Sequence, residues 1–158
     1  GHKFHDWYGF GRVDVGAAIT AALSYTAGSL GTLNITDYSD NASGTLNTTI
    51  TDRSATGITN TIAVSESEII EAVQIKVNIA HTWVGDVGIE LVSPAGTRSV
   101  LITPYNFFWS SNNMSNMILT SNAFYGEETD GNWTIRVIDG SAGITGTLTN
   151  WSIRFYEH

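Results

Sequence analysis

The chain has 158 residues, which is enough for one domain with a hydrophobic core and a short additional segment. Its 7 lysines and arginines are outnumbered by 15 aspartates and glutamates, so the formal net charge is −8. Nucleic acids and anionic membranes are bound through basic patches, and the only lysines are Lys3 and Lys76, so neither is expected as a partner. The absence of cysteine excludes disulfides, thiolate nucleophiles and cysteine-zinc sites.

The first 26 residues differ in pattern from the rest and predict a short helix. Asp14 is suited to cap it, and the following apolar residues recur at helical spacing. No second helical stripe follows for this helix to pack against. A lone helix of this length is marginal in water, so we expect its partner to be either missing from this chain or distant in the sequence. The stripe consists of Val15, Ala18, Ile19, Ala22 and Leu23.

Residues 27–47 are rich in Gly, Ser, Thr and Asn and predict a linker with one short strand. The third segment, residues 48–158, combines abundant Ser, Thr and Asn with frequent glycine, and only 14% of the whole chain is charged. Short strands joined by tight turns have this composition, whereas helical bundles do not. The sequence therefore predicts an all-β fold for this segment.

Alternating apolar residues predict three strands in the middle of the chain. Residues 73–79 alternate Val and Ile with polar residues, and residues 87–91 repeat the pattern. The sequence Ser-Pro-Ala-Gly at 93–96 favours a type I turn, after which residues 98–102 return as a third strand.

Two similar segments near the C-terminus predict a pair of tryptophan-bearing strands. Residues 132–137 (NWTIRV) resemble residues 150–155 (NWSIRF), and each copy directs its Trp to one face and its Arg to the other. Asp139-Gly140 and the glycines that follow are typical of a chain reversal. We therefore expect both strands to line one core, in a sandwich whose final strands are antiparallel.

His81 and Asp86 are of the types used in a catalytic triad, but a triad also needs an activated serine and an oxyanion hole. No G-x-S-x-G motif occurs. The pattern favours a structural role, in which Asp86 accepts hydrogen bonds from loop amides and His81 bonds to neighbouring backbone. No catalytic residue is predicted.

The acidic loop at residues 126–131 (GEETDG) indicates a calcium site, because Ca²⁺ takes six to eight oxygen ligands from carboxylates, carbonyls and water. Glu127 and Asp130 are the candidate ligands in this loop. Asp86 and Asp139 complete the predicted site if the fold brings their turns to the loop. A solvated acidic loop without a metal is the alternative.

Tyr105, Phe107 and Trp109 alternate with other residues and so predict a strand that faces the core. The alternative is an exposed aromatic patch that contacts a partner domain or a sugar, since large exposed apolar patches mark interaction sites.

Several separated motifs resemble the P domain of the proprotein convertases, in the order found in that family. The resemblance covers approximately residues 48–158 and rests on residues 81–87 (HTWVGDV), 91–97 (LVSPAGT), 124–127 (FYGE), 131–134 (GNWT) and 146–152 (GTLTNWS). Val87 stands where the family usually has Leu. Ile144 replaces a common Asp, which argues against a metal role for that loop.

The N-terminal segment resembles a different part of the same proteases. Residues 7–14 (WYGFGRVD), followed by the small-residue helix, are similar to the end of a subtilisin-type catalytic domain. In kexin-like proteases the P domain follows directly, and the missing partner of the helix would then be the catalytic domain.

The resemblance implies a jelly-roll-like antiparallel β-sandwich that stabilises or regulates a secreted serine endopeptidase, often a calcium-dependent one. Its implied partner is the catalytic domain of the same polypeptide, its location is extracellular or periplasmic, and a monomer is expected. None of the three catalytic segments of such proteases occurs here, so this chain is not expected to cleave peptides. The alternative is an independent module that binds a substrate or a carbohydrate.

Overall fold

The computed structural model describes residues 3–29, 31–40, 44, 46–108 and 113–158. These residues form one α-helix near the N-terminus and two β-sheets whose strand pairs are antiparallel. The predicted all-β, jelly-roll-like sandwich with a short N-terminal helix is confirmed.

The elements follow one another along the chain with mostly short connections. The helix is α1 (Val15–Ser24), and a 3₁₀ turn at Val84–Asp86 leads into β6. The strands are β1 (Asn34–Ile35), β2 (Ser39–Asp40), β3 (Thr48–Ile50), β4 (Ser54–Val64), β5 (Ile70–Ala80), β6 (Val87–Val92), β7 (Arg98–Ile102), β8 (Met114–Ser121), β9 (Gly131–Asp139) and β10 (Gly146–Glu157).

The larger sheet is built around β10. On one side β10 pairs with β5, which in turn pairs with β8. On the other side β10 pairs with the three short strands β1, β2 and β3. The smaller sheet has the order β4-β9-β6-β7 and covers the apolar face of the larger one.

The core is formed by the inward side chains of the two sheets, as the alternating pattern predicts. The indole N–H of Trp133 donates to the carbonyl of Thr129 at 2.8 Å, and the ring of Trp133 meets that of Phe124 edge-on at 5.0 Å. The fully buried residues include Val73, Ile75, Val77 and Ile79 of β5, Val87, Ile89 and Leu91 of β6, Trp133, Ile135 and Val137 of β9, and Leu148, Trp151, Ile153 and Phe155 of β10.

A bulge in β4 depends on glycine. Gly57 has φ +65°, and a Cβ at this position would lie 2.3 Å from the carbonyl oxygen of Val137 on β9. The register between β4 and β9 shifts between Ser54 and Ile58. Only glycine combines this backbone conformation with so close an approach.

Residues 27–47, predicted as a linker with one short strand, contribute two strands to the larger sheet. β1 pairs with the end of β10 and β2 pairs with its middle. The hydroxyl of Tyr38 also donates to Gln74 on β5 at 2.7 Å. This stretch is therefore joined to the larger sheet by backbone pairing with β10 and by a side-chain hydrogen bond to β5.

The two tryptophan-bearing strands line one core but do not pair with each other. β9 belongs to the smaller sheet and β10 to the larger one, so the glycine-rich connection crosses between sheets. The two segments resemble each other because both line the same core from opposite sides. Trp133 and Trp151 are each completely buried, as predicted.

Truncating a core tryptophan should cost far more stability than truncating an exposed one. We expect Trp133→Ala to lower the free energy of unfolding by about 3–5 kcal/mol, since it opens a cavity and leaves the Thr129 carbonyl unpaired. Trp83→Ala is the control, because Trp83 is 40% exposed; it should cost less than about 1 kcal/mol. Urea denaturation measures both, and equal losses would contradict the assignment of Trp133 to the core.

Candidate functional site

A buried histidine and two carboxylates meet where β6 begins and β9 ends. His81 Nδ1 accepts a hydrogen bond from the backbone N–H of Trp83 at 3.0 Å. The ring proton therefore lies on Nε2, which points at Asp139 Oδ2, 3.4 Å away. Both ring nitrogens are thus occupied, and neither is free to take a proton from a nucleophile. The predicted structural role of His81 agrees with this geometry, although the carboxylate it contacts is that of Asp139 rather than Asp86.

Close packing around His81 requires a glycine opposite it. A Cβ on Gly146 would lie 2.4 Å from His81 Cδ2. Asp139 is 1% exposed and accepts a second hydrogen bond from the backbone N–H of Ser141 at 3.1 Å. These contacts fix the connection from β9 to β10 against the end of β5.

Asp86 lies in the 3₁₀ turn beside this pair. Its carbonyl oxygen accepts from the N–H of Gly140 at 2.9 Å, which ties the turn to the end of β9. Partial burial raises the pKa of the Asp86 carboxyl, and the nearby Asp139 carboxylate raises it further, whereas His81 opposes the shift.

The four carboxylates predicted as calcium ligands do not come together. Asp130 directly precedes β9 and Asp139 ends it, so the two lie at opposite ends of a nine-residue strand, about 30 Å apart. Glu127 accepts a hydrogen bond from the hydroxyl of Thr97, beyond the far end of β6 from Asp86. Within the described ranges no group of three or more acidic or histidine side chains is arranged to hold a metal ion.

The predicted core strand containing Tyr105 and Phe107 is wrong, because these residues lie in an exposed loop. Tyr105 is 74% exposed and Phe107 is 91% exposed, while Trp109 lies outside the described residues. The preceding Pro104 cannot donate to a sheet, and Tyr105 has φ +60°, which no regular strand allows. The proline was the signal against a strand.

Asn106 organises this loop. Its side-chain amide donates to the carbonyl oxygens of Val87 at 3.0 Å and Thr103 at 3.1 Å, and its Oδ1 accepts from the N–H of Phe108 at 2.9 Å. Because the Asn106 side chain makes hydrogen bonds to these backbone groups, the loop keeps its conformation while its aromatic rings are exposed to solvent.

Four aromatic side chains, which we term the aromatic patch, are exposed around this loop. The Trp83 ring and the backbone carbonyl of Phe108 both lie beside Gly85, and the Tyr105 hydroxyl donates to the carbonyl of Gly140 at 2.5 Å. The patch comprises Trp83, Tyr105, Phe107 and Phe108.

An ion-pair chain joins the N-terminal segment to the smaller sheet. Asp6 lies 2.7 Å from Arg98 on β7, and Arg98 lies 2.6 Å from Glu90 on β6. Glu90 also pairs with Arg136 on β9 at 2.8 Å. No pattern in the sequence singles out Glu90, because it is flanked by the core residues Ile89 and Leu91. Its facing partner Arg136 is recognisable only once the register of β6 and β9 is known.

The helix α1 contributes nothing to the core. Asp14 caps it as predicted, accepting from the N–H of Ala17 at 2.9 Å. None of its residues is buried, and its apolar residues Val15, Ile19 and Leu23 are exposed. No described helix is long and apolar enough to cross a membrane.

Comparison with known proteins identifies the sandwich. The family model of the proprotein convertase P-domain matches residues 70–155, just over half of the chain. This chain belongs to the proprotein convertase P-domain family. P domains are non-catalytic parts of subtilisin-like serine proteases, in agreement with the absence of the three catalytic segments from the sequence.

The similar proteins are proteases much longer than this chain. An extracellular serine protease of Aeromonas sobria is 40% identical over 86 residues, which are 47% of this chain and 14% of that protein. Human proprotein convertase subtilisin/kexin type 6 is 29% identical over 163 residues, covering 99% of this chain and 17% of that protein. The chain therefore spans about a sixth of the length of these relatives.

A solved structure matches nearly the whole chain. The serine protease of Aeromonas sobria, crystallised in complex with a chaperone, superimposes with a TM-score of 0.79 at 27% identity. The match covers 98% of this chain and 32% of the protease. Because the coverage is almost complete, it includes the N-terminal segment as well as the sandwich.

Removing the charge of Asp86 should stabilise the chain at neutral pH. Because its pKa is raised in the folded state, the folded chain holds the proton more tightly, so the free energy of unfolding falls as pH rises from 3.8 through the raised value. Asp86→Asn should remove this fall and unfold at higher urea than wild type at pH 7, with the difference vanishing below pH 3.8.

Asp130→Asn serves as the control, since it removes one charge from an exposed position at the other end of β9. It should not reproduce the pH-dependent gain. Lower stability of Asp86→Asn at pH 7 would show instead that the ionised carboxylate makes a favourable contact.

Proposed function

We propose that this chain is the non-catalytic C-terminal part of a secreted subtilisin-like serine endopeptidase and that it stabilises the catalytic domain of the same polypeptide. In this proposal the N-terminal segment and α1 belong to the end of the catalytic domain, and the sandwich follows as the P domain. A domain that binds only the folded form of its partner raises the stability of that form.

The unpartnered helix is the observation that carries the proposal. α1 presents an apolar stripe of Val15, Ile19 and Leu23 and buries no residue. A ten-residue helix has little stability of its own, so such a stripe needs an apolar surface to pack against. The relatives support a catalytic domain as that surface, because the protease that matches 98% of this chain is about three times as long.

The aromatic patch is proposed as a second part of the same contact. The loop that carries Tyr105, Phe107 and Phe108, here called the aromatic loop, begins at Thr103. Thr103 and Trp7 of the N-terminal segment line one groove, and the side-chain amide of Asn106 donates to the carbonyl of Thr103. The loop and the N-terminal segment therefore adjoin. Rings of this size at high exposure are typical of interface anchors.

Phe107→Ala should destabilise the complete protease and spare this chain. Phe107 is almost fully exposed here, so its loss should cost less than about 0.5 kcal/mol in the chain alone. If Phe107 is an anchor against a catalytic domain, the same substitution should lower the free energy of unfolding of the complete protease by about 1–2 kcal/mol. Thermal and urea unfolding of both proteins measure the difference.

Ile118→Ala is the matched control, because Ile118 is a half-exposed apolar residue on β8 of the other sheet. It should have the same small effect in both proteins. If Phe107→Ala also spares the complete protease, the patch is not part of the contact. Retention of the chain on an insoluble polysaccharide would then favour an independent binding module.

Calcium binding remains a proposal. Because the four candidate carboxylates are divided between the two ends of the sandwich, a site is proposed at one end or at the other. A site at either end would need backbone carbonyls and water to complete its oxygen ligands. The chain should then melt at a lower temperature in a chelator than in millimolar calcium. Calcium at ten times its dissociation constant would contribute about 1.4 kcal/mol.

Two variants assign the end that binds. Loss of the calcium effect in Asp130→Asn alone would place the ion at the acidic loop, and loss in Asp86→Asn alone would place it beside His81. A melting curve that calcium and chelator leave unchanged would retire Asp86, Glu127, Asp130 and Asp139 as ligands.

Secretion and a monomeric state are part of the proposal. Secretion is supported by the similar Aeromonas protease, whose name describes it as extracellular. For the monomer, the apolar surfaces of the chain are accounted for by a catalytic domain of the same polypeptide.

A further inference from the structure

A pocket of about 450 Å³ lies between the N-terminal segment and the loop that follows β8. Phe4 and Phe10 form one side, Ala95 and Ala123 belong to the sandwich, and Tyr125 lies at the loop. Glu127 contributes a carboxylate to this largely apolar surrounding. We refer to it as the Glu127 pocket.

One oxygen of the Glu127 carboxylate has no partner. Oε1 accepts a hydrogen bond from the hydroxyl of Thr97. Oε2 is buried and has no hydrogen-bond partner among the described residues. A buried carboxylate oxygen left without a donor is costly, so this position selects a ligand that donates a hydrogen bond and carries a positive charge.

The aromatic walls of the pocket also favour a cation. The rings of Phe4 and Phe10 meet edge-on at 5.6 Å, and those of Phe10 and Tyr125 at 6.2 Å, so three aromatic rings follow one another along the pocket. Aromatic rings attract ammonium and guanidinium groups through their negative faces. The apolar stem of a long side chain would meanwhile cover the two alanines.

The chain does not fill the pocket with its own cation. Lys3 borders the pocket, is exposed, and forms no ion pair among the described residues. The nearby Arg98 is already shared between Asp6 and Glu90. A calcium ion does not suit the pocket, because one free carboxylate oxygen among apolar walls falls far short of six oxygen ligands.

We propose that the Glu127 pocket binds the cationic side chain of an arginine or lysine residue presented by a polypeptide. The guanidinium or ammonium group pairs with the Glu127 carboxylate, and its stem lies along the aromatic rings and over the two alanines. The net charge of −8 favours approach of such a group over an anionic one.

Titration with a blocked amino acid tests the site directly. N-acetyl-arginine methylamide is added to the ¹⁵N-labelled chain, and N-acetyl-norleucine methylamide supplies a similar stem without the charge. We expect saturable shifts at the amides of Ala95, Gly126 and Glu127 with the arginine probe, weakening as salt is raised. The norleucine probe should bind at least about tenfold more weakly.

A matched pair of variants separates the site from overall charge. Glu127→Gln keeps an acceptor for Thr97 but removes the charge, and should weaken the arginine probe about tenfold or more. Glu128→Gln removes the same charge from the next, exposed residue and should leave binding unchanged. If Glu127→Gln fails to fold, Tyr125→Leu at a half-exposed ring should still weaken binding about two- to fivefold.

Three outcomes would overturn the proposal. The first is the absence of saturable binding by both the arginine probe and N-acetyl-lysine methylamide, and the second is equal binding of the arginine probe by wild type and Glu127→Gln. Binding that emerges only in Lys3→Met would also overturn it, because Lys3 would then be the cation that occupies the pocket.

The complete protease distinguishes the two sources of the side chain. If the probe binds this chain but not the complete protease, a residue of the parent polypeptide occupies the pocket. If it binds both, the pocket accepts a separate peptide. Neither result depends on the aromatic patch, so failure at the Glu127 pocket and failure of the proposed stabilising contact are distinguishable.

Discussion

The sandwich depends on the pairing of β10 along both of its edges. One edge pairs with β5 from Thr147 to Glu157, and the other holds the three short strands of residues 34–50 in order. Short strands of two or three residues are not stable alone, so their positions follow from β10. The same strand carries Trp151 into the core, where its indole N–H donates to Asn60 of the facing sheet at 2.7 Å. The three short strands between α1 and β4 are therefore located by β10, the twelve-residue strand that follows them last in the chain.

The N-terminal segment is held much less firmly than the sandwich. Asp6 and Arg98 are each about 40% exposed, and an ion pair at such exposure contributes about 0–1 kcal/mol. The remaining contacts are a few aromatic rings around the Glu127 pocket, and α1 adds no buried residue. A segment with this many exposed apolar side chains and so few anchors is stable only against another surface. This imbalance is the physical argument that supports the proposal that the segment belongs to a neighbouring domain.

Strands that follow from local alternation can be predicted from the sequence. Pairing between strands that are distant along the chain cannot. The strands containing Val73 and Val87 follow from the period of two, and both are buried as expected. The partner of β9 could not be predicted, because the similarity of residues 132–137 and 150–155 reports a shared core and not a shared sheet. The site shows the same limit. Asp86 and Asp139 meet since β6 and β9 pair, whereas Glu127 lies at the other end, and no spacing along the chain reveals this division.

The N-terminal segment and the aromatic patch, the two regions proposed to contact a catalytic domain, lie along one side of the smaller sheet. The N-terminal segment runs beside β7, from the Glu127 pocket at one end of that strand to Thr103 at the other, where the aromatic loop begins. β7 is an edge strand, and an edge covered by another segment is protected from pairing with other chains. A stable interface needs about 800 Å² from each partner, more than the four rings of the aromatic patch supply. The exposed apolar residues of α1 and of the N-terminal segment add to the area that the patch offers, which supports the proposal that all three take part in one contact.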